Sequence, residues 1–400
     1  MPHAILYHGF GIRGYRHLKT QFKEGCIYFY LVRKKKRCSF CHSFKVTQKG
    51  FKERTLRTLP IGSKKVFIVV KVRRFFCEQC GRRRFEDLLI AERKKHYTRA
   101  LERYVRELCM VMTLRDVSRH TGLHWATVKA IDRRRLRKNL PSVSCLRRLR
   151  YLGIDEVSLK RRHRYLTLVV DLRTGRIVYV GEGRGERSLS PFFKRLRRLK
   201  VPLKAVSLDM WRPYAKAIRA HFPHIALVYD AFHILAEYSR MLDALRTQEY
   251  TRLKGPMKKI IKGTRFLLLQ GQEKLSISAK KKLQTLLRLN RNLFIAYLLK
   301  EELRRLWRFQ SREEAERFFF DWIRKALHSG IGKLVKLATR LLRHAEGILN
   351  YFRYPISTAM VEGINNKIKV IKRKAYGYRD VEYFKLKIYN LHLSRYSLLR

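Results

Sequence analysis

Two Cys-x-x-Cys pairs constrain the N-terminal part of this chain more tightly than any other feature. Cys38-Ser39-Phe40-Cys41 and Cys77-Glu78-Gln79-Cys80 stand 77 − 41 = 36 residues apart. Each pair can chelate one tetrahedral ion through two thiolates, and two pairs close a structural site of the Zn2+ type. The gap exceeds the roughly 15–20 residues usual for such pairs, so a β-hairpin is expected to fill it. The alternating run Val66-Phe67-Ile68-Val69-Val70-Lys71-Val72 supplies one of its strands. Gly81 suits the tight knuckle after the second pair, and His42 is an alternative ligand. Cys26, Cys109 and Cys145 are isolated and read as ordinary cysteines. An odd total with four residues in pairs fits a reducing compartment and metal binding better than disulfides.

Residues 95–138 read as helices. Thr113 with Asp116 gives a cap before Leu114–His120, Thr121-Gly122-Leu123 turns the chain, and His124–Leu136 forms a second helix. Helix, glycine-containing turn and helix make the helix-turn-helix pattern. His124, Trp125, Thr127 and Lys129 fall early on the second helix, where a recognition helix meets base edges. Arg133, with Arg134, Arg135 and Arg137, is placed to hold phosphates. The stretch 137–150 is basic, contains Pro141, and reads as a linker.

From 151 the pattern changes to strands. Tyr151–Val157, Tyr165–Val170 and Ile177–Val180 are separated by tight turns, the first being the basic Lys160-Arg161-Arg162-His163. Three such strands predict an antiparallel meander. Two strand-then-helix units follow, Leu203–Leu208 into Tyr214–Ala220 and Ile225–Tyr229 into Phe232–Tyr238, with Pro213 in a first helical turn. The sum is a mixed sheet covered by helices. From 239 to 349 strand signals vanish. Leu283, Leu286, Leu287, Leu293, Phe294, Tyr297 and Leu298 recur at helical spacing, Ser311 with Glu314 makes a capping box, and Gly330 and Gly332 mark a turn. This is an all-helical block inserted into the α/β region.

Three carboxylates stand out. Asp155 is expected to close the apolar strand beginning at Tyr151, and Asp209 closes Ala205–Leu208. Glu362 sits on a helix whose core face is Val361, Ile364, Ile368 and Ile371. Glu362, Asn365, Asn366, Lys369 and Arg373 form another face of that helix, which would place a metal ligand beside the phosphate-binding, DNA-contacting groups Asn365, Asn366, Lys369 and Arg373. Converging carboxylates favour a divalent cation, and two such ions would serve phosphodiester chemistry. Glu156 alternates to the opposite face of its strand, Asp171 is better explained by a turn, and Asp230 is a rival to Asp209. Arg373-Lys374-Ala375-Tyr376-Gly377-Tyr378 adds cations and aromatics suited to stacking on exposed bases.

The formal charge, 93 − 31 = +62 over 400 residues, makes nucleic acid the obvious partner. A ribosomal or other RNA-binding protein would share that charge. The usual basic tails are absent, however, and the apolar fraction is 46%. No apolar run approaches the roughly 18–20 residues that span a bilayer, and no signal-peptide core is seen at the N-terminus, so no membrane partner and a cytoplasmic, nucleoid-associated location are expected.

The chain resembles insertion-sequence transposases of the ISL-three family along nearly its whole length. The resemblance rests on the double CxxC, the helix-turn-helix and Gly153-Ile154-Asp155-Glu156. It continues through Asp209-Met210-Trp211-Arg212-Pro213-Tyr214 and Asp230-Ala231-Phe232-His233. It ends with Glu362-Gly363-Ile364-Asn365-Asn366-Lys367-Ile368-Lys369 and the Arg373–Tyr378 block, the most specific part.

Such enzymes carry an aspartate–aspartate–glutamate triad on an RNase H-like fold. The resemblance implies that Asp155, Asp209 and Glu362 hold two Mg2+, with Mn2+ an acceptable substitute, and that Trp211, Asp230 and His233 line the site. The gaps are 209 − 155 = 54 and 362 − 209 = 153 residues, the longer one matching a helical insertion before the glutamate.

The expected fold class is α/β multidomain: a zinc-ribbon-like module (1–92), a helix-turn-helix (93–140), and an RNase H-like mixed sheet (150–238 and 350–400) interrupted by an all-helical insertion (239–349). The expected function is binding of terminal inverted repeats, then metal-dependent cleavage and strand transfer into target duplex DNA by a homodimer or larger assembly. The alternatives are an RNase H-like structure-specific nuclease and a non-enzymatic zinc and helix-turn-helix regulator.

Overall fold

The structure is a computed structural model that describes residues 4–160 and 164–391. The expected basic turn at 161–163 and the last residues of the chain lie outside these. The described residues form two compact units, 4–139 and 140–391.

The first unit is built on a five-stranded sheet: β1 (Tyr15–Lys23), β2 (Cys26–Arg33), β3 (Val46–Arg57), β4 (Lys65–Cys77) and β5 (Arg83–Phe85), in the order β1-β2-β4-β3 with β5 on β4. β3 and β4 are antiparallel, so the expected hairpin does fill the gap between the cysteine pairs. Sequence reading anticipated β4 but not β1 or β2. Those two join through Glu24 and Gly25, both at positive φ (50° and 71°), as a type I′ turn requires. β2 alternates half-buried and buried positions along its length. Its Ile27, Phe29 and Leu31 pack with Leu56, Val66, Ile68 and Val70. Three helices follow, α1 (Arg99–Val111), α2 (Leu114–Thr121) and α3 (Trp125–Lys138). Leu101, Val105, Val117, Val128 and Ile131 give them a core of their own. The Thr113 hydroxyl caps α2 by accepting from the Asp116 amide, and Gly122 ends it at φ 66°.

The second unit opens with α4 (Val143–Arg147), capped by Ser142, where a plain linker was expected. Leu146 and Leu149 are buried in the larger core, which is why the segment is ordered. The sheet contains β6 (Tyr151–Lys160), β7 (Arg164–Asp171), β8 (Arg176–Glu182), β9 (Ala205–Leu208) and β10 (Ala226–Tyr229) in the order β10-β9-β6-β7-β8. β6, β7 and β8 form the expected antiparallel meander, and β9 and β10 add parallel to β6. The connecting helices are α5 (Glu186–Arg198), α6 (Arg212–Arg219) and α7 (Ala231–Arg252). α5 was not anticipated. α7 runs well past the expected boundary at 238.

The helical block continues with α8 (Gly255–Ile261), α9 (Arg265–Leu269), α10 (Ile277–Leu289), α11 (Arg291–Arg304), α12 (Arg312–Leu327), α13 (Gly332–Arg343) and α14 (Ala345–Leu349). Ser311 caps α12 by accepting from the Glu314 amide. Phe294 and Leu298, part of the apolar spacing read in the sequence, are exposed on α11. The block does not bury a core apart from the sheet. One apolar cluster runs from Leu152 and Val206 through Tyr238 and Leu242 to Trp322 and Leu341. The opposite face of the sheet is covered by α15 (Ala359–Lys374) and α16 (Val381–Tyr389). There Val157, Leu168 and Val170 meet Val361, Ile364, Ile368, Phe384 and Ile388. No helix among the described residues is long and apolar enough to cross a membrane.

Candidate active site and cysteine cluster

The cysteine cluster forms where the ends of one hairpin come together. Cys77 closes β4 opposite Val46, the first residue of β3. The Sγ atoms of Cys38 and Cys80 are 3.8 Å apart and those of Cys41 and Cys77 3.4 Å, and all four lie within 4.8 Å of one another. Gly81 (φ 66°) donates its amide to the Cys77 carbonyl, and the Phe40 amide donates to the Cys38 Sγ. Backbone N–H groups aimed at sulfur, with four convergent thiols, fit a tetrahedral cation. His42 is not part of the cluster. Behind it, Arg73 forms a buried ion pair with Glu86 at 2.8 Å and donates to the carbonyls of Arg33 and Lys35, tying the approach to Cys38 onto β4.

The acidic site lies where β9 stops. Asp155 does not close its strand as expected: β6 runs on to Lys160 against β7, so Asp155 is mid-strand. The neighbour on the other side is the strand that ends. Gly153 pairs with Ser207 across β6 and β9, the last pair of that ladder. Two residues further along each chain, Asp155 and Asp209 stand level on the same face, because side chains alternate with a period of two. That face is the one α15 covers. Its approach is close: a Cβ on Gly153 would sit 2.7 Å from Val361 Cγ2, the residue before Glu362.

Asp230 fixes the start of α15. One of its oxygens accepts from the Phe232 amide at the start of α7 and the other from the Thr358 amide at 2.6 Å. It is 4% exposed and both oxygens are occupied, so it braces the site. His233, one residue beyond Phe232, places Nδ1 2.9 Å from Asp209 Oδ2. That hydrogen bond raises the imidazole's affinity for its proton, against the effect of burial. Asp209 Oδ1 is buried with no hydrogen-bond partner among the described residues.

Asp155 Oδ1 accepts from the Glu156 amide and Oδ2 from the side-chain amide of Asn365, both at 2.7 Å. Burial pushes its carboxyl up to about 6, and the nearby charges of Asp209 and Glu362 push the same way. His233 and the Glu156 amide oppose them. Glu362, in the first turn of α15, is exposed and makes no side-chain hydrogen bond among the described residues. Asp155, Asp209 and Glu362 are thus electrostatic neighbours, yet their oxygens do not converge as the thiols do. Neighbouring carboxylates of this kind are the donor set a divalent cation takes. The unpartnered Asp209 oxygen fits the same donor role.

Glu156 is occupied by other groups: Arg184 Nε lies 2.5 Å from Oε1, and the Tyr214 hydroxyl donates to Oε2 at 3.3 Å. The Arg184 guanidinium also covers the Trp211 ring at 4.5 Å. Sequence reasoning passed over Arg184, since one cation among 93 carries no local signal. Asp171 accepts from the Arg173 amide and the Thr174 hydroxyl, as a turn residue does.

The expected nucleic-acid contacts divide. Trp125 is 53% exposed at the start of α3. His124 is the N-cap of α3, and its Nδ1 accepts from the Ala126 amide. Thr127, Lys129 and Arg133 are half-buried. Arg134 and Arg135 are committed to ion pairs with Glu102 and Asp132. On α15, Asn366, Lys369 and Arg373 are exposed, whereas Asn365 is buried against Asp155. Tyr376 is 99% exposed, at φ 51°.

Comparison with known proteins agrees along the chain. A family model described as a transposase, of the ISL3 DDE type, matches residues 152–388. The helix-turn-helix domain of transposase family ISL3 matches 86–136, and the zinc-finger of transposases IS204/IS1001/IS1096/IS1165 matches 34–80. The transposase for insertion sequence element IS1001 of Bordetella parapertussis is 40% identical over 341 residues, 84% of this chain and 83% of that protein. The transposase for IS1557 of Mycobacterium tuberculosis is 28% identical over 354 residues, 82% and 79% of the two chains. The Drosophila P element transposase strand transfer complex aligns with 74% of this chain and 92% of its own, at 11% identity and a TM-score of 0.34, too low to carry an argument. Cysteine pairs, helix-turn-helix and mixed sheet thus match in chain order, and the chain belongs to the ISL3 family of insertion-sequence transposases.

Proposed function

We propose that this transposase cuts and joins DNA at a site where Asp155, Asp209 and Glu362 hold two Mg2+ or Mn2+ ions, with the mixed sheet acting as an RNase H-like platform and the helical block as an insertion before Glu362. The observation that carries this reading is the β6–β9 register. It sets Asp155 and Asp209 level beside a strand end, with a buried Asp209 oxygen unpartnered and Glu362 overhead on α15. When bound, the ions supply a nucleophilic oxygen activated near neutral pH and charge stabilisation at the leaving oxygen. Asp155 and Asp209 provide fixed carboxylates from the sheet, and exposed Glu362 provides a third from a helix. His233 orients Asp209, and Asp230 holds the start of α15 in place. Arg184 keeps Glu156 paired, so that it does not compete for the ions. Trp211, beneath Arg184, borders the site.

The four cysteines hold a structural Zn2+. The zinc module and helix-turn-helix recognise terminal inverted repeats, with His124, Trp125, Thr127, Lys129 and Arg133 toward the duplex. Asn366, Lys369 and Arg373 hold phosphates next to the chemistry. The insertion begins at about residue 239, inside α7. Coordinated action at two ends calls for a homodimer or larger assembly on DNA, working in the cytoplasm on the nucleoid.

The test is cleavage and strand transfer on a labelled duplex carrying the element's ends, with Mg2+, comparing the wild type with Glu362→Ala. Cutting and joining that depend on Mg2+ and vanish in the variant, with duplex binding retained, are expected. Equal activity in both proteins would remove Glu362 from the site. Cutting without joining would point to a nuclease.

A further inference from the structure

We infer that Asn365 is a positioning residue for Asp155, holding its carboxylate ready to take a divalent cation before any cation or DNA arrives. The inference rests on the reading of Asp155 as a metal ligand. Asn365 lies one turn after Glu362 on α15, and the pattern of charges and amides along that helix made it look like a surface contact to DNA. It is instead 6% exposed, between Ile364 and Ile368, which pack on the sheet.

The orientation of its amide is fixed by its neighbours. The Nδ2 atom lies 2.7 Å from Asp155 Oδ2 and 3.5 Å from the Glu156 carbonyl oxygen. Both are acceptors, so the NH2 end must face them. Oδ1 is then left buried with no partner among the described residues. A buried acceptor without a partner is unfavourable, so packing alone would favour an apolar residue at this position. Asp155 Oδ1 is meanwhile held by the Glu156 amide. Two donors from two elements therefore fix the plane of the carboxylate. Second-shell hydrogen bonds of this kind orient a ligand and lower the cost of ordering it on binding.

The test uses the full-length protein without DNA, titrated with Mn2+ and followed by electron paramagnetic resonance of the free ion. Asn365→Leu keeps the bulk and removes the donor, and it is expected to weaken Mn2+ binding about tenfold. Its melting temperature and duplex affinity should stay close to wild type. Asn365→Gln keeps the amide but displaces it, and it should weaken binding by a smaller factor. This variant carries the test if the leucine variant does not fold. In an Asp155→Ala background, Asn365→Leu should cause no further loss, because the two residues act as one unit. Wild-type Mn2+ affinity in any folded Asn365 variant, with affinity lost in Asp155→Ala, overturns the inference and leaves the metal site standing. Wild-type affinity in Asp155→Ala overturns the metal reading of Asp155 itself.

Discussion

The four thiols of Cys38, Cys41, Cys77 and Cys80 lie within 4.8 Å of one another and come from the two ends of a single hairpin. The carboxylates of Asp155, Asp209 and Glu362 come from mid-strand in β6, from the residue after β9 and from α15. They form no cluster as tight as the thiols, and among the described residues one oxygen is buried and unpartnered and one group is exposed. The first arrangement is closed and local, and it fits a tetrahedral cation. The second is assembled across the fold, from two strands of the sheet and a helix. A structural site can therefore be encoded by spacing along the chain, whereas a reactive one depends on how distant elements pack.

The sharpest way to break this contrast is to strip each metal separately. Removing a cation from the cysteine cluster, by a strong chelator or by Cys77→Ser, should unfold the β3–β4 end of the first unit. The stake is on the order of 10 kcal/mol for a structural Zn2+ site. Amide hydrogen exchange should report lost protection there, while β6 and β9 stay protected. Equal loss in both units would mean that the cluster is not a local device.

Next in size is the contact that brings α15 over β6. Gly153→Val places methyl groups where Val361 already sits, and overpacking of this kind costs about 1–3 kcal/mol. Urea unfolding should register that loss, and exchange should rise along α15 but not in the cysteine module.

A smaller effect concerns protons. Burial pushes Asp155 up to about 6 from an ordinary 3.8. Between those values the folded chain binds more protons than the unfolded one, so this group's contribution to stability falls as pH rises through the window. A cation must displace the same proton. Mn2+ affinity should therefore be nearly flat above pH 7 and drop by up to about tenfold per unit below pH 6. A profile unchanged from pH 7.5 to 5 would show that Asp155 takes no part in binding.

The smallest expected change is Thr113→Ala, which removes the cap of α2 and should cost about 1 kcal/mol in thermal unfolding of the first unit. Cutting of a pre-nicked substrate by the second unit should stay as it was.

What was legible from sequence follows the reach of each interaction. The antiparallel meander, the two strand–helix units, the caps at Thr113 and Ser311 and the core face of α15 were readable, because periodicity and caps act over a few residues. α5 was missed although Leu189, Phe192, Phe193 and Leu196 bury one face of that helix, with Pro191 inside it. β2 was missed although its alternation is regular, and its parallel pairing with β4 is visible only in three dimensions. Residues 137–150 read as a linker because two leucines, Leu146 and Leu149, are too few for a periodic signal.

The sequence by itself determined that four cysteines would meet, that carboxylates would gather on a mixed sheet, and that a helix bearing Glu362 would bury Val361, Ile364 and Ile368. Only the tertiary structure decided that Asp155 lies mid-strand beside the end of β9, that Asp230 spends both oxygens on helix starts, that Arg184 covers Trp211, and that Asn365 turns inward to Asp155. Asn365 and Asp155 are 210 positions apart in sequence, and Asp230 and Thr358 are 128 apart. Local patterning states which face a residue occupies. Which group it meets there depends on strand register and helix docking, and those are set by packing across the whole core.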